Sequence, residues 1–294
     1  MISGGQQSLG YLGKLVKDVE KIPPFSSTVS KILELANNPR SSPTDLNRVI
    51  SMDPTLTAKV LKLVNSVYFG LSRNVTSVVR AIIILGLNTI KNLALSTAVL
   101  GKMYQSSRKV GSFDFEEFWR HSLGCAVLAR NLATRAGVPK TEREEFFIAG
   151  LIHDLGKILL CEHARENFMA ILEYLDNNMV YFFEAEEDLF GITHGDIGAL
   201  LALQWKLAPS LVASTRFHHH PERARDNREI VYCVHLADLI CKKNQIGSSG
   251  DRLLPEIPED VLDVLGLKEK IIKELSGELE EDLDKAMEFL KVSE

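Results

Sequence analysis

From Lys14 onward apolar residues recur at intervals of three and four, as in Val29, Ile32, Leu33 and Leu35. That is the period of a helix with one buried face, so an all-α fold is expected. Pro23-Pro24 precedes the helix around Val29 and breaks the one before it. Asn37-Asn38-Pro39, Asp53-Pro54, Phe69-Gly70 and Leu85-Gly86-Leu87-Asn88 then act as stop and restart signals between short helices. The run Ala81 to Leu87 is apolar enough for a buried strand. Val78, Ile82 and Leu85 extend it at helical spacing, however, and Gly86 supplies a C-cap, which favours a helix.

Residues 1–13, rich in Gly, Ser and Gln, read as a flexible tail. Residues 14–104 form an expected N-terminal helical lobe, and the polar stretch Tyr104 to Ser112 separates it from a second lobe over 112–245. There, Asp114 and Glu117 resemble a helix start, and Phe118, Ser122, Cys125, Leu128 and Leu132 form a stripe ending at Gly137-Val138-Pro139. Further helices are expected from Phe146 into His153-Asp154, from the capping-box spacing of Thr193 and Asp196, from Pro209 into His218-His219-His220, and from Ile230 through Asp238. Residues 250–294 read as acidic helices with a solvated face.

With 45% hydrophobic and 25% charged residues over 294 positions, the composition is that of an ordinary globular protein. No apolar stretch approaches the length of a membrane span, and a secretory signal layout is lacking, so a cytoplasmic protein without a membrane partner is expected. A formal net charge of -5 argues against DNA as a partner, because like charges repel. Cys125, Cys161, Cys233 and Cys241 form no CxxC pair and sit in helix-like apolar surroundings, which favours buried free thiols.

The chemistry concentrates in histidines. His121, His153, His194, His218 and His219 come from four separate helical segments beside small or acidic residues. Neutral imidazoles and carboxylates converging inside a helical bundle are what a divalent metal ion needs. His153 and Asp154 are adjacent, and neighbours on a helix point about 100° apart, so both meet one ion only at a helix end or kink. Gly156 is the expected source of that irregularity. Lys157, four residues after His153, is placed to hold a phosphate oxygen beside the metal. Asp238 closes the set, and His235 one turn earlier is a candidate for orienting a ligand. Each piece also has a plainer meaning: a hydrogen-bonded core histidine at His121, an exposed helix end at His218-His219-His220, a capping pair at Asp154 and Lys157.

The order of these residues resembles a known superfamily. His121, then His153-Asp154, then Asp238 is similar to the H…HD…D arrangement of the HD metal-dependent phosphohydrolases. The segment His153 to Lys157 resembles the HDxGK of the HD-GYP branch, and His194 with Gly198 to Leu201, then His218-His219, resembles its later histidine segments. In the N-terminal lobe, Ile22-Pro-Pro-Phe25, Asp53-Pro-Thr-Leu-Thr57, Leu61 to Ser66, and Ala81-Ile82 with Leu85-Gly86 resemble the HDOD domain, the "HD-related output domain" of bacterial signalling proteins. Trp205 to Pro209 does so too. The resemblance implies a multi-helix HD-superfamily bundle preceded by an N-terminal helical lobe. It also implies one or two divalent ions (Fe, Mn, Ni, Zn or Mg).

Two departures from the family pattern matter. No Gly-Tyr-Pro motif follows His218-His219, so cyclic di-GMP phosphodiesterase activity is not carried over. Many HDOD domains have lost metal ligands, whereas this chain keeps a nearly complete set. The implied function is a regulatory module with a retained metal site that binds a nucleotide or a signalling partner protein. With no receiver or sensor segment beside the motifs, its input is expected by non-covalent contact. The alternative is a phosphohydrolase acting on a nucleotide or cyclic dinucleotide. In that case His121, His153, Asp154 and Asp238 hold one metal and His194, His218 and His219 a second bridged by Asp154, with Asp154 and Lys157 as the catalytic pair. Whether His220 replaces His218 or His219 is open at this level.

Overall fold

The computed structural model describes residues 17, 21–22, 25–36, 38, 40–104 and 108–291. The tail expected at 1–13, the Pro23-Pro24 break and the turn residues Asn37 and Pro39 lie outside the described residues.

The N-terminal helices are short because polar caps and prolines fix both ends. Helix α1 (Ser27–Ala36) is followed by α2 (Pro43–Ser51), whose N-terminus is a capping box: Ser42 accepts from the Asp45 amide and Asp45 accepts from the Ser42 amide. Asp53 caps α3 (Pro54–Val64) by accepting from the Leu56 amide. The Asn-Ser motif closes α3. Asn65 pairs with both backbone groups of Val75, donating from Nδ2 to its carbonyl at 2.8 Å and accepting from its amide at 2.7 Å. Helix α4 (Val78–Leu85) confirms the helical expectation for the apolar run, and at Gly86, φ 90°, the chain bends by 120° into α5 (Leu87–Met103). Helix α5 is the buried spine against which α1, α3 and α4 pack.

A two-residue hairpin, β1 (Lys109–Val110) paired antiparallel with β2 (Phe113–Asp114), lies in the polar stretch where no strand was expected. Phe113 is its anchor, seated edge-on against Phe115 and Phe168. Asp114 then caps α6 (Phe115–Arg135), the central helix of the second half. Helix α6 packs most extensively on α7 (Arg143–Ile152), because Gly150 has no side chain: a Cβ there would sit 2.5 Å from the Cys125 carbonyl oxygen.

Helices α8 (Leu155–His163), α9 (Arg165–Asn177), α10 (Phe182–Phe190), α11 (His194–Gln204), α12 (Pro209–Phe217) and α13 (Arg228–Lys243) follow, with a short 3₁₀ turn at Pro221–Arg223. The chain ends in α14 (Glu259–Val264), α15 (Lys270–Ala286) and α16 (Glu288–Lys291). Helix α15 lays Leu275, Leu279 and Leu283 inward and ties its acidic face to α6 through Arg120–Glu280, Arg135–Glu274 and Asn131–Asp282. Phe289 of α16 is fully buried between Tyr68 and Phe147, so one continuous apolar core links the first helices to the last. Among the described residues no single helix is long and apolar enough to cross a membrane.

Candidate metal centre

Five helices deliver the predicted residues to one buried chamber. Helix α6 supplies His121 from its second turn, and α13 supplies Asp238 from its third. Helix α7 stops at Ile152 and α8 starts at Leu155, so His153 and Asp154 occupy the break itself, where Asp154 takes φ -100° and ψ 8°. That break lets adjacent side chains face the same way. Gly156 was expected to cause the irregularity; it instead lies inside α8, where a Cβ would overlap the carbonyl oxygen of His194. Its role is to let α8 touch the start of α11. Thr193 caps α11 through the Asp196 amide and presents His194 in the first turn, and His218 and His219 follow directly on the end of α12.

The donor atoms fall into two adjoining groups, each within 4.8 Å of one another: His121, Cys125, His153 and Asp238, then Asp154, His194, His218 and His219. In the first, Nε2 of His121 is 3.1 Å from Asp238 Oδ1 and 3.5 Å from Cys125 Sγ, and Nε2 of His153 is 3.9 Å from Asp238 Oδ1. In the second, Asp154 Oδ1 is 2.9 Å from His194 Nε2 and 3.4 Å from His218 Nε2, while His219 Nε2 is 3.1 Å from His194 Nε2. Asp154 stands between the groups, since its Oδ2 also lies 3.5 Å from His153 Nε2. All seven residues predicted from the sequence are thus together. His220 stays outside both groups, near Glu187 and Glu222.

Tautomers turn this proximity into an argument for a cation. His153 Nδ1 donates to the Gly150 carbonyl at 2.6 Å and His218 Nδ1 to the Thr215 carbonyl at 2.8 Å. His194 Nδ1 faces Glu186 Oε2 at 2.6 Å, and that oxygen already accepts from the His194 amide, so the ring donates there as well. The three rings therefore turn their Nε2 atoms toward one another and toward carboxylate oxygens, and, against its burial, the His194 ring is raised by Glu186 and Asp154. Among the described residues, neither His153 Nε2 nor Asp154 Oδ1, both buried, has a hydrogen-bond partner. A proton on one ring satisfies a single pair; a divalent ion satisfies the convergence, and imidazole plus carboxylate donors fit one.

The surroundings keep Asp154, Asp238, His153 and His219 in ligating form. Burial would raise Asp154, but Lys157 and the ring of His153 hold it well below the usual carboxylate range; Lys242 and His121 do the same for Asp238. Burial pushes His153 down to about 3 and His219 well below its ordinary value, which keeps both rings neutral. For His121, the burial that would lower it is outweighed by Cys125 and Asp238, and the ring rises to about 10.

Lys157 is fully buried. Its ammonium donates to Asp154 Oδ2 at 2.7 Å and to the Ser249 carbonyl at 2.9 Å, and sits 4.9 Å from the centre of the Phe182 ring. His235 donates to the His218 carbonyl at 2.6 Å and so holds a candidate ligand by its backbone. Four contributors were missed at the sequence level. Glu186 orients His194; Lys242 joins Asp238 to Asp251, at 2.7 Å from each; and Cys125 adds a sulfur. Only Cys125 had a legible signal, its i,i+4 spacing from His121.

Fold and site together define an all-helical domain with a candidate divalent-metal centre. A family model described as HDOD domain matches residues 22–221, well over half of the sequence. The chain belongs to the HDOD domain family, a signal-transduction type of domain, with Asp238 and Lys242 lying beyond the matched span. A crystal structure of an HDOD domain protein of unknown function from Geobacter sulfurreducens superposes with a TM-score of 0.80 at 25% identity, covering 97% of this chain and 98% of that one. A presumptive phosphohydrolase from Shewanella amazonensis gives a TM-score of 0.73 at 26% identity, covering 96% and 98%. An uncharacterised protein of Treponema pallidum is 24% identical over 234 residues, which is 79% of this chain and 44% of that protein. The chain therefore spans less than half of that relative's length.

Proposed function

We propose that this HDOD domain is a regulatory module of bacterial signalling whose buried His/Asp chamber holds one or two divalent metal ions and whose adjoining face binds a nucleotide or a partner protein. The observation carrying the metal part is the convergence of three imidazole Nε2 atoms, each ring oriented by its Nδ1 contact, on Asp154 and Asp238. The regulatory part is supported by the two lysines at the centre. Lys157 and Lys242 are bound to carboxylates of the chamber itself, so their charge stabilises Asp154, Asp238 and Asp251 and is not presented to a phosphate. Beside the second group, Tyr181, Phe183 and His219 form a half-buried ladder of stacked rings, with Phe183 4.4 Å from His219. That is the side where a nucleobase would find aromatic faces.

A second reading, phosphohydrolase activity, is favoured by one observation. His219 is only half-buried, so the second donor group has a ligand on its solvent side, and catalytic metal sites keep one position open. A divalent ion held there by Asp154, His194, His218 and His219 would supply Lewis-acid charge to a phosphoryl oxygen. Asp154 would join the two groups, and Glu186 would hold the His194 ring in its ligating tautomer.

The discriminating experiment loads the full chain with manganese or iron, confirms the metal content, and offers cyclic di-GMP, dNTPs and a generic phosphodiester. Binding of a nucleotide without turnover is the expected result. Hydrolysis of any of them, abolished by Asp154→Ala, would replace the regulatory assignment with the enzymatic one.

A further inference from the structure

Helix α6 places His121 and Cys125 four residues apart, hence on one face, and both are fully buried. Cys125 Sγ lies 3.5 Å from His121 Nε2. The donor atoms of His121, Cys125, His153 and Asp238 share one neighbourhood, each within 4.8 Å of the rest. A tetrahedral ion bonded to sulfur at about 2.3 Å and to imidazole nitrogen at about 2.0–2.1 Å separates those two donors by roughly 3.5 Å. The observed separation equals that edge. A thiol-to-imidazole hydrogen bond of the same length would account for the Cys125–His121 pair alone and leave His153 Nε2 unpartnered. An ion at the common point accounts for all four atoms.

We infer that Cys125 is a thiolate ligand of the metal in the first donor group, completing a set of one sulfur, two imidazole nitrogens and one carboxylate oxygen. This inference rests on the proposal that the chamber holds metal. On coordination the Sγ–H bond breaks, its proton passes to the buffer, and the electron pair left on sulfur forms the bond to the ion, with no change of oxidation state. A sulfur donor selects zinc or ferrous iron over magnesium. The second group, Asp154 with His194, His218 and His219, has only nitrogen and oxygen donors. The two halves of the chamber therefore differ in ion preference.

The test uses the full chain, stripped with a chelator and reloaded with cobalt(II). Wild type is expected to show a sulfur-to-cobalt charge-transfer band in the near ultraviolet. Cys125→Ser should lose it, while Cys241→Ser, which alters the neighbouring thiol, should keep it. Persistence of the band in Cys125→Ser overturns the assignment. Cobalt bound without any such band also overturns it while leaving the metal reading intact, and a chain that binds no cobalt sinks both. Because Cys125→Ser perturbs the core, X-ray absorption of the zinc-loaded wild type provides a second measurement. A sulfur shell at about 2.3 Å supports the ligand; a shell of nitrogen and oxygen alone refutes it.

Discussion

Glu186 is buried on α10 with its Oε2 accepting from both the ring and the amide of His194. The carboxylate fixes which nitrogen of that ring carries the proton, and thereby which nitrogen can ligate. Replacing it by glutamine preserves size but offers a weaker, neutral acceptor. Outer partners of this kind are worth roughly 10- to 100-fold in metal affinity. Glu186→Gln is therefore expected to lower manganese affinity in that range, measured by competition with a calibrated chelator; unchanged affinity would place His194 outside the ligand set. Nothing in the sequence pointed to Glu186, because an acidic residue among Glu184, Glu187 and Asp188 looks like solvated surface. The histidines were legible for the opposite reason: they are few, and their order matched a known pattern. Asp251 and Lys242 stayed hidden because charged residues pair in the interior only once tertiary structure brings them together.

At the scale of elements, the break between α7 and α8 and the contact of α8 with α11 set the geometry of the centre. Adjacent His and Asp had to be split by a helix end, and that part of the site followed from helical geometry alone. The position of the break did not: Gly156 was assigned the irregularity, whereas its lack of a side chain serves a helix crossing that periodicity cannot reveal. Helices α8 to α10, which hold Lys157 and Glu186, carried no histidine of the pattern, and the hairpin at Lys109–Asp114 is too short to show alternation. Gly156→Ala forces a Cβ onto the His194 backbone, where no side-chain adjustment can give way. Overpacking of this kind costs about 1–3 kcal/mol. A fall of that size in the unfolding free energy from denaturant titration, together with weakened metal binding, is the expected outcome; a variant as stable as wild type would show that the two helices do not meet as described.

Across the whole molecule, one apolar core runs from Ile32 through α5 and α6 to Phe289, and the charged chamber sits inside the second half of it. Burying Asp154, Asp238, Lys157 and Lys242 together is costly unless every charge is paired, and removing one partner of such a set costs several kcal/mol. The four form two short ion pairs, Lys157–Asp154 and Lys242–Asp238, yet His153 Nε2 and Asp154 Oδ1 still lack hydrogen-bond partners among the described residues. A bound cation would complete the network. The most direct test is elemental analysis of the purified full chain after dialysis, with Asp154→Ala alongside. Stoichiometric divalent metal in the wild type and reduced metal in the variant, which loses the ion of the second group, is the predicted result. Full occupancy in Asp154→Ala, or a wild type that retains none of iron, manganese, nickel, zinc or magnesium when each is supplied, would contradict it.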